Sequence, residues 1–450
     1  MRWTRRDFLR TSLGGLAWPL SRLSPDHARA RRPTLPDPLL GPGGDSALAA
    51  ALRGGLPLRG IPHRSPDASL GTLRGRFSDW RRHFVFEYYP WYGRDPFRHW
   101  DQWDRAPPDD IASRYYPLLG PYDSRSSKVL EQHARWIADS GVGALNVSWW
   151  GEGSYEDRGL GLLMDVMAAH GLKVTVHLEP YAADHGSALE RDILYLVKTY
   201  GEKRRFDCLL LLENEDGSLG PVFKGFRTIL PRQAVDCHGR VRPTWDFTPD
   251  DVFRRQTDRI RKALAGDFAR VTLLADCLDF SRTRASGFDG VAVYDNFVPP
   301  DAYPHLGAGA TREGLLFSFN VNPGYDAIAP RVREAGACPA PLSFVPDILP
   351  LDFSTAPGRA QAEAHSLERI RETLRATLAV QLDPALENAR RGFFLVYLTS
   401  FNEWHEGHAF EPTRAWEDLT PAQRGWGYHN ADRSDSRLAV LPDLLEATHG

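Results

Sequence analysis

The chain has 450 residues, 42% hydrophobic and 25% charged, with a formal net charge of −3. This is globular composition, enough for one large domain or two smaller ones, and it has no clustered basic face, so nucleic acid is excluded as a partner. Aromatic residues make up 11%, including 13 Trp; indole faces suit a sugar cleft, though large cores use Trp as well.

The N-terminus carries Thr4-Arg5-Arg6-Asp7-Phe8-Leu9-Arg10, a twin-arginine pattern. A short, weakly apolar stretch follows from Thr11 to Leu20, and Ala28-Arg29-Ala30 provides a small-x-small cleavage site. Residues 1–30 are therefore expected to be a signal peptide read transiently by the twin-arginine (Tat) export machinery, leaving a periplasmic or secreted protein. The apolar stretch is too short to span a bilayer, and no other segment approaches the roughly 18 apolar residues a spanning helix needs, so no stable membrane insertion is expected. Residues 31–80 are rich in Pro, Gly, Arg and Ser, with one short helical pattern near Ser46 to Leu52; they read as a linker and wrapping arm. Cys208, Cys237, Cys277 and Cys338 have no CxxC spacing, which speaks against zinc and leaves room for one bridge in an exported protein.

Residues 81–450 are rhythmic. Short apolar runs stand at His83–Tyr89, Gly143–Trp150, Leu172–Glu179, Asp207–Leu212, Val271–Asp276, Gly290–Asp295, Leu315–Asn320 and Gly392–Thr399. Amphipathic stretches alternate with them. Ser126 to Ser140 puts Val129, Leu130, His133, Trp136 and Ile137 on one face and ends at Gly141. Leu160–His170, Ala188–Tyr200 and Leu367–Leu382 follow, and Thr248 opens another helix with Pro249 at its first position. Eight buried strands, most followed by a helix, predict an α/β fold of the (β/α)8 TIM-barrel type, one catalytic domain over 81–450. An open dinucleotide-binding sheet is disfavoured because no G-x-G-x-x-G turn follows an early strand. Long excursions from Glu213 to Thr248 and from Pro323 to Ser366 would then be loops after strands four and seven, on the catalytic face.

In such a barrel the C-terminal strand ends converge on one pocket. Those ends carry Tyr89 and Tyr92, Trp150, His177 and Glu179, Tyr294, Tyr325, and finally Ser400-Phe401-Asn402-Glu403-Trp404-His405-Glu406-Gly407. Aromatics, amides and carboxylates gathered at one rim suit a polar ligand with flat apolar faces, which describes an oligosaccharide or polysaccharide. Glu403 and Glu406 are the catalytic candidates, because residues i and i+3 of a helical turn share a face. Two neighbouring carboxyl groups also separate into one acid and one base, the pair that glycosidic cleavage uses. Tyr89, Tyr92, Trp150, His177, Glu179, Tyr294, Tyr325, Asn402, Trp404 and His405 are the substrate-binding candidates. A metal site at Glu403, His405, Glu406 and His408 is disfavoured because the segment lacks two His at i, i+4. A serine-hydrolase elbow, G-x-S-x-G in a strand-turn-helix context, is absent from the sequence.

The octapeptide Ser400–Gly407 resembles the signature of glycoside hydrolase family 99, the endo-α-mannosidase and endo-α-mannanase family. Further resemblances run in order: Tyr88-Tyr89-Pro90-Trp91-Tyr92-Gly93, Tyr115-Tyr116-Pro117-Leu118-Leu119-Gly120, Ser148-Trp149-Trp150-Gly151, His177-Leu178-Glu179-Pro180-Tyr181, Phe288-Asp289-Gly290 with Tyr294, and Asn322-Pro323-Gly324-Tyr325. The resemblance implies a (β/α)8 barrel and retaining cleavage within α-mannosyl chains, with no metal or organic cofactor. It further implies that Glu403 deprotonates the substrate 2-hydroxyl, which closes a 1,2-anhydro sugar, and that Glu406 is the acid and later the base. Tyr325 would lie near the reacting sugar and Trp150 would wall the adjoining subsite. Two segments depart from the family pattern. An aromatic Tyr-Asp-Ser-Tyr segment near strand four is expected where Leu209–Glu213 and then Asn214-Glu215-Asp216-Gly217 stand, and after strand seven Asn322-Pro323-Gly324-Tyr325 stands for the usual Gly-Pro-Gly-Tyr and Ala329-Pro330-Arg331 replaces Arg-Pro-Trp-Asn. The altered strand-four region keeps a second reading open: a non-hydrolytic carbohydrate-binding or polysaccharide-assembly protein on the same barrel.

Overall fold

The computed structural model describes residues 73–182, 185–204, 206–332, 343 and 351–447. The signal segment 1–30, the helical pattern near Ser46 to Leu52 and the arm up to residue 72 lie outside them. Eight parallel strands form a barrel: β1 (Phe84–Tyr88), β2 (Ala144–Trp149), β3 (Lys173–Leu178), β4 (Leu219–Gly225), β5 (Thr272–Ala275), β6 (Gly290–Val293), β7 (Leu316–Phe319) and β8 (Val396–Leu398). They pair in the order β7-β6-β5-β4-β3-β2-β1-β8. The ring closes between β7 and β8, where Val321 N–H donates to Tyr397 O at 2.8 Å and Thr399 N–H to Val321 O at 2.9 Å. The TIM-barrel expectation is met.

Helices return the chain outside the ring: α1 (Ser127–Asp139), α2 (Tyr155–Ala169), α3 (His185–Leu196), α4 (Asp250–Leu264), α5 (Phe280–Ala285), α6 (Tyr303–Arg312) and α7 (Ala356–Gln381), followed by α8 (Ser436–Ala447). Local chemistry sets their limits. Ser154 Oγ accepts the Asp157 N–H at 3.1 Å to start α2, and Gly141 and Gly171, at φ 83° and 76°, take the left-handed conformation that stops α1 and α2. Helix α4 begins at Asp250, one residue after Pro249, which is its N-cap. The last residues of the expected arm belong to the domain, since Leu73 and Phe77 are buried in the outer core with Phe84 and Phe394.

Strand four is not the Leu-rich run. Leu211–Glu213 is a short strand antiparallel to β4, and Leu209 makes only an isolated bridge to Val174. The barrel position belongs to Leu219–Gly225, which pairs with β3 through His177↔Lys224 and with β5 through Leu274↔Lys224. The long loop after strand four therefore starts at residue 226, and it carries a small hairpin, Gln233–Val235 with Val241–Pro243.

Alternation along each strand fills the barrel in layers. Val85, Ala144, Val222, Leu274, Ala292, Leu316, Leu395 and Tyr397 belong to one apolar cluster, which Leu210 and Leu212 join. Two residues further along come Glu87, Asn146, His177, Lys224 and Ser318, all buried. The strand ends bring Tyr89, Ser148, Glu179, Phe226, Asp276, Tyr294 and Asn320 to the rim. The core thus turns from apolar to polar along the barrel axis, toward the strand ends that carry the candidate residues.

Candidate active site

The turn after β8 carries Glu403 and Glu406, which are 2% and 8% exposed. Ser400 Oγ accepts the Glu403 N–H at 2.8 Å. Glu403 Oε2 accepts the Glu406 N–H at 2.6 Å, while Glu403 Oε1 is buried without a hydrogen-bond partner. Burial first, and then the charge of Glu406, push the Glu403 carboxyl well above its ordinary value. Glu406 is held differently. Its Oε2 accepts the Tyr294 hydroxyl at 2.7 Å and stands 2.7 Å from His408 Nε2, and His408 Nδ1 is 3.0 Å from Ser400 Oγ. One carboxyl is thus open on one oxygen, the other pinned on one oxygen.

The ends of β2 and β3 add a second polar group. Ser148 Oγ accepts the indole N–H of Trp91 at 2.8 Å and of Trp150 at 3.1 Å, and donates to Glu179 Oε1 at 2.7 Å. Glu179 Oε2 and His177 Nε2 are buried and unpartnered; burial raises the Glu179 carboxyl above its usual range. An orphaned carboxyl oxygen and an orphaned imidazole nitrogen are costly in an apolar site, and separate ligand hydroxyls would satisfy them.

Beneath them lies a charged floor. Lys224 Nζ is 2.6 Å from Glu87 Oε1. Glu87 Oε2 contacts His177 Nδ1 at 2.9 Å and accepts from Asn146 Nδ2 at 2.8 Å. Burial alone would raise the Glu87 carboxyl, but Lys224 and His177 outweigh it and hold it down to about 2. Glu87 is therefore a carboxylate, His177 Nδ1 donates to it, and the unpartnered Nε2 lies at the opposite side of the ring.

Glu403, Glu406, Tyr294, Tyr89, Tyr325, His177, Glu179 and Trp150 come together at this rim. Tyr89 interacts with Tyr294 through their hydroxyls, and the Tyr325 ring lies 6.4 Å from the His408 ring. The other four candidates use their polar groups on the protein. Asn402 clamps β1, accepting the Tyr89 N–H at 2.7 Å and donating to Tyr89 O at 3.1 Å. Trp404, wholly buried, donates its backbone N–H to the Tyr92 hydroxyl at 3.0 Å and its indole N–H to the Tyr122 hydroxyl at 3.1 Å. Tyr92 is stacked on Trp100, their ring centroids 4.3 Å apart. His405 Nδ1 lies 2.7 Å from Ala112 O and Nε2 3.3 Å from His99, and burial lowers its pKa to about 4. These four residues build the turn that presents the two Glu.

The sequence pattern gives no site role to Ser148, Glu87, Lys224 or Asp276, the last raised by burial and accepting the Tyr294 N–H at 3.0 Å, and it offers His408 only as a disfavoured metal ligand. Glu87 was the findable one, an acid inside the apolar run Phe84–Tyr88 that required a buried cation. That cation, Lys224, sits on the strand that the Leu-rich run displaced.

Among the described residues, Glu403, Glu406 and His408 bring donor atoms within 4.8 Å of one another. The Glu406–His408 contact of 2.7 Å is that of a hydrogen bond; two ligands of one tetrahedral zinc, each about 2.1 Å from the metal, stand about 3.4 Å apart. The trio fits proton sharing better than metal coordination.

The family model for glycosyl hydrolase family 99 matches residues 71–208. The chain is 25% identical over 356 residues to the mouse glycoprotein endo-alpha-1,2-mannosidase, covering 72% of this chain and 66% of that protein. It is 26% identical over 389 residues to the human glycoprotein endo-alpha-1,2-mannosidase-like protein, covering 76% and 74%. The chain spans about two thirds of the length of the mouse protein. Among solved structures it is similar to a GH99 endo-alpha-mannosidase from Bacteroides thetaiotaomicron, with a TM-score of 0.55 and 20% identity over 82% of this chain and 97% of that one; that likeness bears on the fold.

Proposed function

The chain belongs to glycosyl hydrolase family 99, and on that premise we propose that it is an exported glycoside hydrolase that cleaves within α-mannosyl chains with retention of configuration. The observation that carries this reading is the buried Glu403–Glu406 pair, one carboxyl open on Oε1 and the other fixed on Oε2, at a rim lined by Trp150, Tyr294 and Tyr325. The names of the relatives, endo-alpha-1,2-mannosidases, support mannosyl linkages as the substrate class.

Glu403 takes the proton of the substrate 2-hydroxyl while that oxygen attacks the anomeric carbon and the glycosidic bond breaks; Glu406 gives its proton to the departing oxygen. Water then opens the 1,2-anhydro ring, giving a proton to Glu406, and Glu403 returns its proton to the 2-oxygen. A base for a weakly acidic hydroxyl works best with a high pKa, and burial supplies that at Glu403. A sugar hydroxyl donating to Oε1 favours the ionised form, so substrate binding itself readies the base. Glu179 and His177 are placed to receive further hydroxyls.

Cys237 is disulfide-bonded, a state that persists in oxidising compartments and supports export by the twin-arginine segment. Cell fractionation of wild type and of the R5K/R6K double variant tests it; the variant stays in the cytoplasm if the motif is read. The catalytic reading is tested by digesting a panel of α-mannans and oligosaccharides with linkage analysis of the products. Internal cleavage with retained anomers, lost in Glu403→Gln and Glu406→Gln, is the expected result. Binding by calorimetry without any product would instead favour the non-hydrolytic reading.

A further inference from the structure

His408 has no part in the roles assigned so far, yet it is wholly buried against the pinned carboxyl. The contacts around it share one consistent pattern of proton donation. Ser400 Oγ accepts the Glu403 N–H at 2.8 Å, so its own proton is free to go to His408 Nδ1 at 3.0 Å. That leaves the imidazole proton on Nε2, which is 2.7 Å from Glu406 Oε2. The Tyr294 hydroxyl reaches the same oxygen at 2.7 Å. Two donors on Oε2 leave Oε1 as the oxygen that carries and transfers the proton.

We propose that His408 is a positioning residue for Glu406: with Tyr294 it fixes Oε2, presents Oε1 to the leaving oxygen, and stabilises the carboxylate formed when the proton departs. Ser400 sets its tautomer, and so links the backbone of one catalytic Glu to the side chain of the other. The inference rests on the reading of Glu406 as the acid and base. The titratable groups facing His408 are Glu406 on its own turn, Tyr294 at the end of β6 and Tyr325 after β7; Glu403 is reached through Ser400.

The test uses the full-length protein with His408→Met, which keeps bulk and loses the donor, and His408→Gln, which keeps a donor. A hydrogen bond to a charged group, lost in the transition state, corresponds to a drop of about 10- to 100-fold in kcat, with KM within about twofold. Donors favour the charged form, so their loss makes the proton harder to give up, and the alkaline limb of the kcat–pH profile moves to higher pH. His408→Gln returns kcat to within about threefold of wild type. An activity-independent readout is the infrared carboxyl titration of Glu406, isolated as the wild type minus Glu406→Gln difference; its midpoint rises in His408→Met. Where His408→Met fails to fold, the same titration in Ser400→Ala, which frees the tautomer, carries the test. An unmoved midpoint and pH limb, or His408→Gln no better than His408→Met, overturns the inference in favour of packing alone. If the wild type cleaves no glycan, the proposed function falls while the titration still decides the His408–Glu406 coupling.

Discussion

The Glu406 backbone N–H donates to Glu403 Oε2 at 2.6 Å, so the turn that holds the two acids also couples them. Either substitution, Glu403→Gln or Glu406→Gln, is expected to lower kcat by about 10²–10⁴ on an α-mannan substrate. Stability responds as well. Burial and Glu406 raise the Glu403 pKa above its ordinary 4.5, so the folded state binds more protons than the unfolded one above that pH. Stability therefore falls as pH rises from 4.5 toward the raised value. Glu403→Gln removes that loss. Its Tm gain over wild type should be small at pH 4 and larger at pH 8, as followed by calorimetry; a gain that shrinks with rising pH refutes the assignment.

The buried Lys224–Glu87 pair makes a second prediction. Both side chains are wholly buried at 2.6 Å, so Lys224→Met strands a carboxylate in the barrel and is expected to cost about 3–5 kcal/mol at pH 7. The Glu87 pKa is depressed to about 2, so the stabilisation is present above 4.5 and lost as pH falls toward 2. The gap between variant and wild type should close over that range. Glu87→Gln combined with Lys224→Met should recover much of the loss, and the double-mutant cycle in urea gives the coupling. Additive losses would sink the pair as an energetic unit.

The Tyr122 hydroxyl organises the back of the catalytic turn. It accepts from Asn402 Nδ2 at 3.2 Å and Trp404 Nε1 at 3.1 Å, and donates to Glu411 Oε2 at 2.7 Å. Tyr122→Phe leaves these buried groups short of a partner and is expected to cost about 2–4 kcal/mol in unfolding free energy, with kcat falling because Glu403 lies between the two loosened residues. Full stability in the variant would show that the turn stands without this anchor.

The barrel and its catalytic turn were legible because seven strands are short apolar runs whose burial follows from composition alone, and because Glu403 and Glu406 stand directly after the last of them. Strand four was not legible, for a physical reason. Leu209–Leu212 is the more apolar stretch, whereas Leu219–Gly225 contains Gly220, Pro221, Lys224 and Gly225, residues that weaken a strand locally. Tertiary constraints chose it anyway. A Cβ at Gly220 would lie 1.9 Å from Arg270 O, and Lys224 is needed opposite Glu87. The end of β4 reads Phe226-Arg227-Thr228-Ile229, where the Phe226 ring packs 5.3 Å from His177 and 5.6 Å from Tyr294. At the site, the strand-end rule gathered the right neighbourhood but could not separate side chains that face the cavity from Asn402, Trp404, His405 and Tyr92, whose partners are remote in sequence.

Ser148 shows what such a remote partner does for binding. One hydroxyl orients the Trp91 and Trp150 indoles and Glu179 Oε1, so it fixes the subsite wall and the open carboxylate oxygen together, without lying near the Glu403–Glu406 pair in the hydrogen-bond network. Ser148→Ala leaves two indole N–H groups and a carboxylate oxygen without that partner. Each such loss is worth about 1–3 kcal/mol, and the groups that loosen are the ones placed to hold sugar hydroxyls and a sugar face. The expected outcome is a KM raised about tenfold or more, with kcat within about threefold, and weaker oligosaccharide binding by calorimetry when Ser148→Ala is combined with Glu406→Gln. Ser148→Thr, which retains the hydroxyl, should stay near wild type in KM. If kcat collapses while KM is unchanged, Ser148 belongs with the reacting carboxyls, and the division of the rim into a binding side and a reacting side is wrong.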